Sequence, residues 1–343
     1  MTSPSPASTA PYGADERGII CAYRFDGVGP AQPVDAAEAI GIWTTAPRDS
    51  AGFVWLHVNL SHAAAERWLR AHAQMPDDFF DAIGEGSRSS RIERDGDTLF
   101  AVVNDATFDF SFDASDIATL WISVRAGLVI TARRHPLCSV DRLRAAVKRG
   151  EVIDSSVALL DHLLRDESDE LQHIARRASE RIDEIEDQLI AQRTGEHAAE
   201  LARLRRLTVR LQRLMAPEPG ALVRLLSNPP GWLGREDLQR LREASDDFGV
   251  SLRDIATLQD RIRLLQDEAS ARVAEANNRS LFMLTMVTVL ALPINLTAGL
   301  LGMNVGGIPL AQHEHGFVYV LLAIAGITVG FTLFAWRRLI PPA

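Results

Sequence analysis

The stretch Leu281–Leu301, LFMLTMVTVLALPINLTAGLL, runs 21 residues without a charge. As a helix rising about 1.5 Å per residue it reaches about 31 Å, the thickness of a bilayer's hydrocarbon core. A second uncharged run, Phe317–Trp336, follows after a short polar connection. Lipid offers no hydrogen-bond partner to the backbone, so only elements that satisfy their own amides and carbonyls cross it. Two such runs this close together read as a membrane hairpin. The alternative is a pair of buried core helices, but these seldom run past about 20 residues without a charge.

The hairpin uses about 60 of the 343 residues, which leaves enough chain for a large soluble core. Net charge is −9; the charges from Arg279 onward (Arg279, Arg337 and Arg338 against Glu314) sum to +2, leaving −11 on Met1–Asn278. An acidic soluble part argues against nucleic acid as a partner and against docking on anionic lipid, and it concentrates cations. Cys21 and Cys138 stand far apart with no Cys-x-x-Cys, which fits a reducing compartment and excludes a thiolate zinc cluster. Arg272 and Arg279 precede the first span, Arg337 and Arg338 follow the second, and the connection carries neither Lys nor Arg. The positive-inside rule therefore predicts a multi-pass protein with both termini in the cytoplasm, and Tyr319 and Trp336 sit near span ends where amphipathic rings prefer the interface.

In chain order, residues 1–17 read as a disordered tail and 18–150 as a mixed α/β cytoplasmic domain. Strands are expected at Gly18–Phe25, Gly52–Leu60, Asp97–Asn104, Asp116–Val124 and Leu128–Arg134, the last two joined as a hairpin through Arg125-Ala126-Gly127. Ser61 is expected to cap a helix reaching His72, and Pro76 to open another through Ile83. Gly84–Asp97 carries no apolar periodicity and reads as loop. No nucleotide fingerprint or nucleophile motif appears, which argues against an enzyme. His57 and His62 read as a strand-end and a helix-start histidine.

Residues 151–280 read as a helical stalk. Val157, Leu160, Leu164, Leu171, Ile174, Ala178, Ile182, Ile185 and Leu189 step by three or four, apart from one seven-residue gap. Leu201–Leu214 repeats the pattern, Pro217, Pro219 and Asn228–Gly231 interrupt it, and a third helix is expected from Arg235 directly into the span. On the helix face common to His162, Asp166, Asp169 and His173, spaced 4, 3 and 4, a divalent ion could bind; a solvated charged face gives the same pattern.

Within the first span, residues taken every three or four give Asn278, Leu281, Thr285, Thr288, Leu292, Asn295 and Gly299 on one face. Polar groups in a membrane helix are costly against lipid, so this stripe reads either as glue between helices or as the wall of a pore. In a pore, Asn278, Thr285, Thr288 and Asn295 would line the path, and Leu281, Leu284 and Leu292 would form hydrophobic constrictions able to close by dewetting. Neither span contains His, Cys or a carboxylate, so a divalent ion would pass at least partly hydrated.

The connection reads Gly302-Met303-Asn304-Val305-Gly306-Gly307-Ile308-Pro309, then continues to His313-Glu314-His315-Gly316. A Gly-Met-Asn triplet between two C-terminal membrane helices resembles the CorA family of divalent-cation transporters, and the extension Val305–Pro309 resembles its zinc-transporting ZntB branch. Trp55-Leu56-His57-Val58, Leu120–Val124 and Leu214-Met215-Ala216-Pro217 add to the likeness, while Ser87–Arg91 (SRSSR) stands where that branch carries an Arg-Pro-Arg type of motif. The resemblance implies an α+β, CorA-like fold: the α/β domain, long stalk helices, transmembrane helices at 281–301 and 317–336, a periplasmic loop at 302–316 and a cytoplasmic tail at 337–343. It also implies a homopentamer in the inner membrane, with Gly302, Met303 and Asn304 at the outer mouth. The transported ion it implies is zinc, with magnesium, cobalt or nickel as alternatives, and no cofactor. A membrane-anchored metal sensor or scaffold remains the competing class. His313-Glu314-His315 could collect zinc or simply be solvated.

Overall fold

The computed structural model describes residues 13–45, 52–85, 90–191, 197–303 and 313–339. The chain divides into two compact units, Met1–Gln266 and Asp267–Ala343. In the first unit, seven strands among the described residues form one sheet: β1 (Ile19–Phe25), β2 (Gln32–Pro33), β3 (Phe53–Asn59), β4 (Arg91–Asp95), β5 (Thr98–Ala106), β6 (Ile117–Arg125) and β7 (Leu128–Arg133). Their spatial order is β2-β1-β3-β7-β6-β5-β4, with β3 and β7 parallel and the other neighbours antiparallel.

Side chains alternate across a strand, so the central strands feed two cores. Val54, Leu56, Val102 and Ile130 point to one face, where α1 (Ala36–Thr45), α2 (Ala65–His72) and α3 (Asp77–Glu85) bury Ile40, Leu69, Phe79 and Ile83. Phe53, Trp55, Leu120 and Ile122 point to the other. That face is covered by α4 (Cys138–Lys148), the first part of α5 (Ser156–Ile190), α7 (Pro217–Ser227) and the start of α8 (Arg235–Leu301), through Leu143, Leu160, Leu164, Leu222, Leu241 and Phe248. Ser155 caps α5 by accepting from the Ala158 N–H at 3.0 Å, and Pro217 opens α7 where a missing N–H costs nothing. α6 (His197–Met215) lies between α5 and α7 in the chain.

The five strands expected from the sequence are present to within two residues at each end. Three expectations are corrected. Part of the presumed loop Gly84–Asp97 is β4, an edge strand hydrogen-bonded to β5. Only Ile92 of its five residues is buried, and charged edge strands of this kind resist further pairing, so apolar alternation does not reveal it. Ser61 does not cap α2, which begins at Ala65; its hydroxyl donates to the Arg134 carbonyl at 3.0 Å. The tail ends before residue 17, because the Asp15 carboxylate accepts from the Ile19 N–H at 2.8 Å and ties this turn to β1. α1 and α4 add two helices to those expected from the sequence.

The second unit contains the remainder of α8 and α9 (Gly316–Leu339). An 18-residue window of α8 reaches a mean hydropathy of 1.9 and none of it is buried. Leu281, Met283, Leu284, Val287, Leu292 and Leu296 are each about 60% exposed. A surface this apolar and this continuous calls for lipid or another protein, because water penalises every such group.

Candidate functional site

Two stripes divide α8 between Leu281 and Leu300. Its half-buried side chains larger than alanine are Met286, Leu290, Pro293 and Thr297, which share a face at about 100° per residue. On α9, among residues 316–330, the half-buried positions are Val320, Ile324 and Thr328, again one stripe. Thr288 and Asn295 lie opposite the half-buried face of α8, Asn278 and Thr285 lie to its side, and all four are exposed. Leu281 and Leu292 sit within the polar stripe and Leu284 at its edge, at 60%, 66% and 64% exposure. The fourth polar residue of the span, Thr297, belongs to the sheltered face. Within one chain, then, the polar stripe is not consumed as glue.

The threonine hydroxyls are oriented by their own helix. Thr285 Oγ1 donates to the Leu281 carbonyl at 2.8 Å and Thr288 Oγ1 to Leu284 at 2.9 Å. With its proton used in this way, each oxygen turns lone pairs outward. A hydrated cation presents water hydrogens, so acceptor oxygens are the groups it needs from a wall.

α8 closes at Leu301, with the Gly302 N–H donating to the Ala298 carbonyl at 2.9 Å and Met303 half-exposed beyond it. Asn304, Val305, Gly306, Gly307 and Pro309 lie outside the described residues. His313, Glu314 and His315 are exposed, with the two imidazole rings 6.4 Å apart and the His315 N–H turned toward His313 Nδ1 at 3.3 Å.

The face carrying His162, Asp166, Asp169 and His173 carries ion pairs in this structure. His162 Nδ1 lies 3.0 Å from Asp166 Oδ2 and its Nε2 lies 3.3 Å from Glu151 Oε1. The Asp166 hydrogen bond, opposed by burial and aided by the charges of Asp166 and Glu151, raises the His162 pKa and favours the imidazolium. His173 turns to Glu170 at 3.8 Å, and Asp169 is exposed. Among the described residues, no three His, Cys, Asp or Glu side chains are placed to hold one ion.

His57 is structural, as its strand position suggested. It is fully buried and accepts from Arg133 Nε at its Nε2, 3.0 Å away, while its Nδ1 lies 2.8 Å from Thr131 Oγ1. Trp55 Nε1 donates to the same hydroxyl at 2.9 Å. Burial, then the Arg133 charge, depress its pKa well below the ordinary value, so the ring is neutral with both nitrogens committed. Sequence reasoning missed another group: Glu167 and Glu218, buried acids on α5 and α7. Its signal was the seven-residue gap between Leu164 and Leu171, where Glu167 and Ser168 occupy core positions at 2% exposure.

A family model described as "CorA-like Mg2+ transporter protein" matches residues 50–339. The chain belongs to this family. The divalent cation transporter CmaX of Pseudomonas aeruginosa is 27% identical over 327 residues, 95% of this chain and 97% of its own. The zinc transport protein ZntB of Pectobacterium carotovorum is 26% identical over 321 residues, covering 94% and 95% of the two chains. The solved structure of the full-length CmaX protein matches with a TM-score of 0.78 at 26% identity, covering 95% of this chain and 99% of that one. The α+β fold with its long helix and C-terminal helices is therefore the CorA-like fold, and the activity of the family is membrane transport of divalent cations.

Proposed function

We propose that this CorA-like chain assembles as a homopentamer that carries divalent cations, zinc foremost, into the cytoplasm across the inner membrane. The observation that supports it best is the stripe of Asn278, Thr285, Thr288 and Asn295, exposed in a single chain and lying outside the half-buried face of α8. One hairpin cannot enclose a path, so each of several subunits supplies one such wall. Leu281, Leu284 and Leu292 form rings that close the path by dewetting, and Asn304 forms the outer ring. Both termini and the first unit face the cytoplasm, as the Arg distribution indicates. A doubly charged ion entering a negative interior gains about 4.6 kcal/mol per 100 mV, enough for uptake without a second ion.

Zinc is chosen over magnesium because of the Gly302–Pro309 sequence and the likeness to ZntB. Magnesium is the second reading, favoured by the description of the family model itself. The test is uptake of zinc, and separately of magnesium, cobalt and nickel, by proteoliposomes holding the purified chain. Zinc should enter fastest, and Asn304→Ala should slow it at least several-fold while the oligomer persists. Flux of magnesium but not zinc moves the chain to the second reading, unchanged flux in Asn304→Ala removes the outer ring, and no flux of any of these ions refutes transport.

A further inference from the structure

Glu167 on α5 is 2% exposed and Glu218 in the first turn of α7 is fully buried. Glu167 Oε1 and both carboxylate oxygens of Glu218 make no hydrogen bond of good geometry, and the polar groups close enough to act on Glu218 are the Ser90 hydroxyl, the Asn104 backbone N–H and the Glu167 carboxyl. Two neighbouring carboxylates cannot both stay ionised in such a place: each loses its hydration and meets the charge of the other.

No cation is among the groups that act most strongly on either carboxylate. From β5 comes Asp105, itself 1% exposed, its carboxylate accepting from Ser139 N at 2.8 Å and Ser139 Oγ at 2.7 Å. Ser90 and Asn104 bring neutral groups, linked to each other by Asn104 Nδ2 donating to Ser90 Oγ at 3.0 Å. From α8, Ser245 Oγ donates to the Pro219 carbonyl at 3.4 Å. Further along α5, Glu170 is already paired with Arg142.

We propose that Glu167 and Glu218 hold a proton between them at neutral pH, and that this proton latches α7 onto the sheet core until ionisation of Glu218 releases it. The mechanics follow from what α7 carries. Its Ala221, Leu222 and Leu225 are buried in the core shared with Leu241, Ala244 and Phe248 of α8. Beyond it, Arg94 Nη1 donates to the Pro229 carbonyl at 3.1 Å, and Trp232 Nε1 donates to the Asp97 carbonyl at 2.7 Å. An ionised Glu218 needs water, and water reaches it only if α7 lifts.

Burial pushes Glu218 up to about 8, against the nearby Ser90 hydroxyl and Asn104 backbone N–H, which favour the ionised form. Burial, then the charge of Glu218, also raises Glu167 well above the ordinary carboxyl value. A group with a raised folded-state pKa stabilises the closed state fully below its ordinary value, 4.5 for Glu218, and loses that contribution as pH rises through about 8. The opening constant of α7 should therefore rise about tenfold per pH unit over this window and level off above it.

The test compares the full chain in detergent with Glu218→Gln, which is isosteric and cannot ionise. Hydrogen exchange of α7, read by mass spectrometry as the ratio of parent to variant at each pH, cancels the intrinsic pH dependence of exchange. The ratio should climb about tenfold per unit between pH 6 and 8 and then flatten; a ratio that stays constant overturns the latch. Should Glu218→Gln not fold, Glu167→Leu serves instead: the hydrogen bond of protonated Glu167 favours ionised Glu218, so with that donor gone the rise in α7 exchange should move to higher pH, and an unmoved rise overturns the pairing. Independently, the infrared carbonyl band of a protonated carboxylic acid should be present in the parent at pH 7 and reduced in either variant. A band unchanged by both substitutions refutes the shared proton.

Discussion

Phe248 tests whether the helix that bears the candidate ion path is rooted in the sheet core. Its ring is fully buried and belongs to the same cluster as Trp55, Leu120, Ile122 and Leu241. Replacing it with alanine removes apolar contacts from that cluster and leaves a cavity that a close-packed core fills only in part. Phe→Ala at such a site costs about 3–5 kcal/mol, against about 5–15 kcal/mol of total stability for a folded domain. At about 2–4 °C per kcal/mol for a large domain, the melting temperature should fall by roughly 6–20 °C. The control is Val28→Ala, whose side chain is 85% exposed and should cost no more than about 0.5 kcal/mol. Both are read by tryptophan fluorescence during thermal and guanidinium unfolding of the detergent-solubilised chain. A loss in Phe248→Ala no larger than in Val28→Ala would show that the start of α8 is not part of the sheet core.

Two further outcomes follow. His162 has its pKa raised above the ordinary 6.5 first by the Asp166 hydrogen bond, so its contribution to stability is complete below about 6.5 and disappears as pH rises through the higher folded-state value. The stability gap between parent and His162→Gln, measured by denaturant titration, should therefore narrow on going from pH 6 to the alkaline side; a gap that widens contradicts the pairing. In proteoliposomes, Leu292→Ser should keep the constriction wet and raise basal cation leak, whereas equal leak from equal oligomer would remove Leu292 from the gate.

Much of this arrangement is legible in the sequence because it rests on periodicity. The uncharged Leu281–Leu301 run, the three-and-four spacing of α5 and the strands with apolar pairs on both faces each state their environment directly. β4 is hidden because an edge strand needs only Ile92 inside, and its charged residues match a loop's composition. The charged face on α5 stays ambiguous in the sequence for a different reason. Spacing places His162 and Asp166 on one stripe, but Glu151, which takes the other imidazole nitrogen, comes from outside the helix. Glu167 and Glu218 show a third limit. A buried acid is rare enough that charge alone argues for exposure, and only the interruption between Leu164 and Leu171 pointed the other way.

On the proposed reading, the chemistry of the stripe also bears on which ion is preferred. Thr285 and Thr288 give their hydroxyl protons to Leu281 and Leu284 and so offer acceptors to water, not ligands to a bare ion. Magnesium dehydrates reluctantly and would pass such a wall with its waters kept, whereas zinc gains most from imidazole or thiolate, and the two spans hold neither. A stripe of this kind therefore tells the two hydrated ions apart only weakly. On this reading a preference for zinc would be imposed before the ion enters the span, by ligands of borderline softness. Within 302–316, His313 and His315 are such ligands, exposed and with their rings 6.4 Å apart. Entry and passage would then be separate tasks, the loop setting which ion arrives and the threonine oxygens setting only that it can remain hydrated as it crosses.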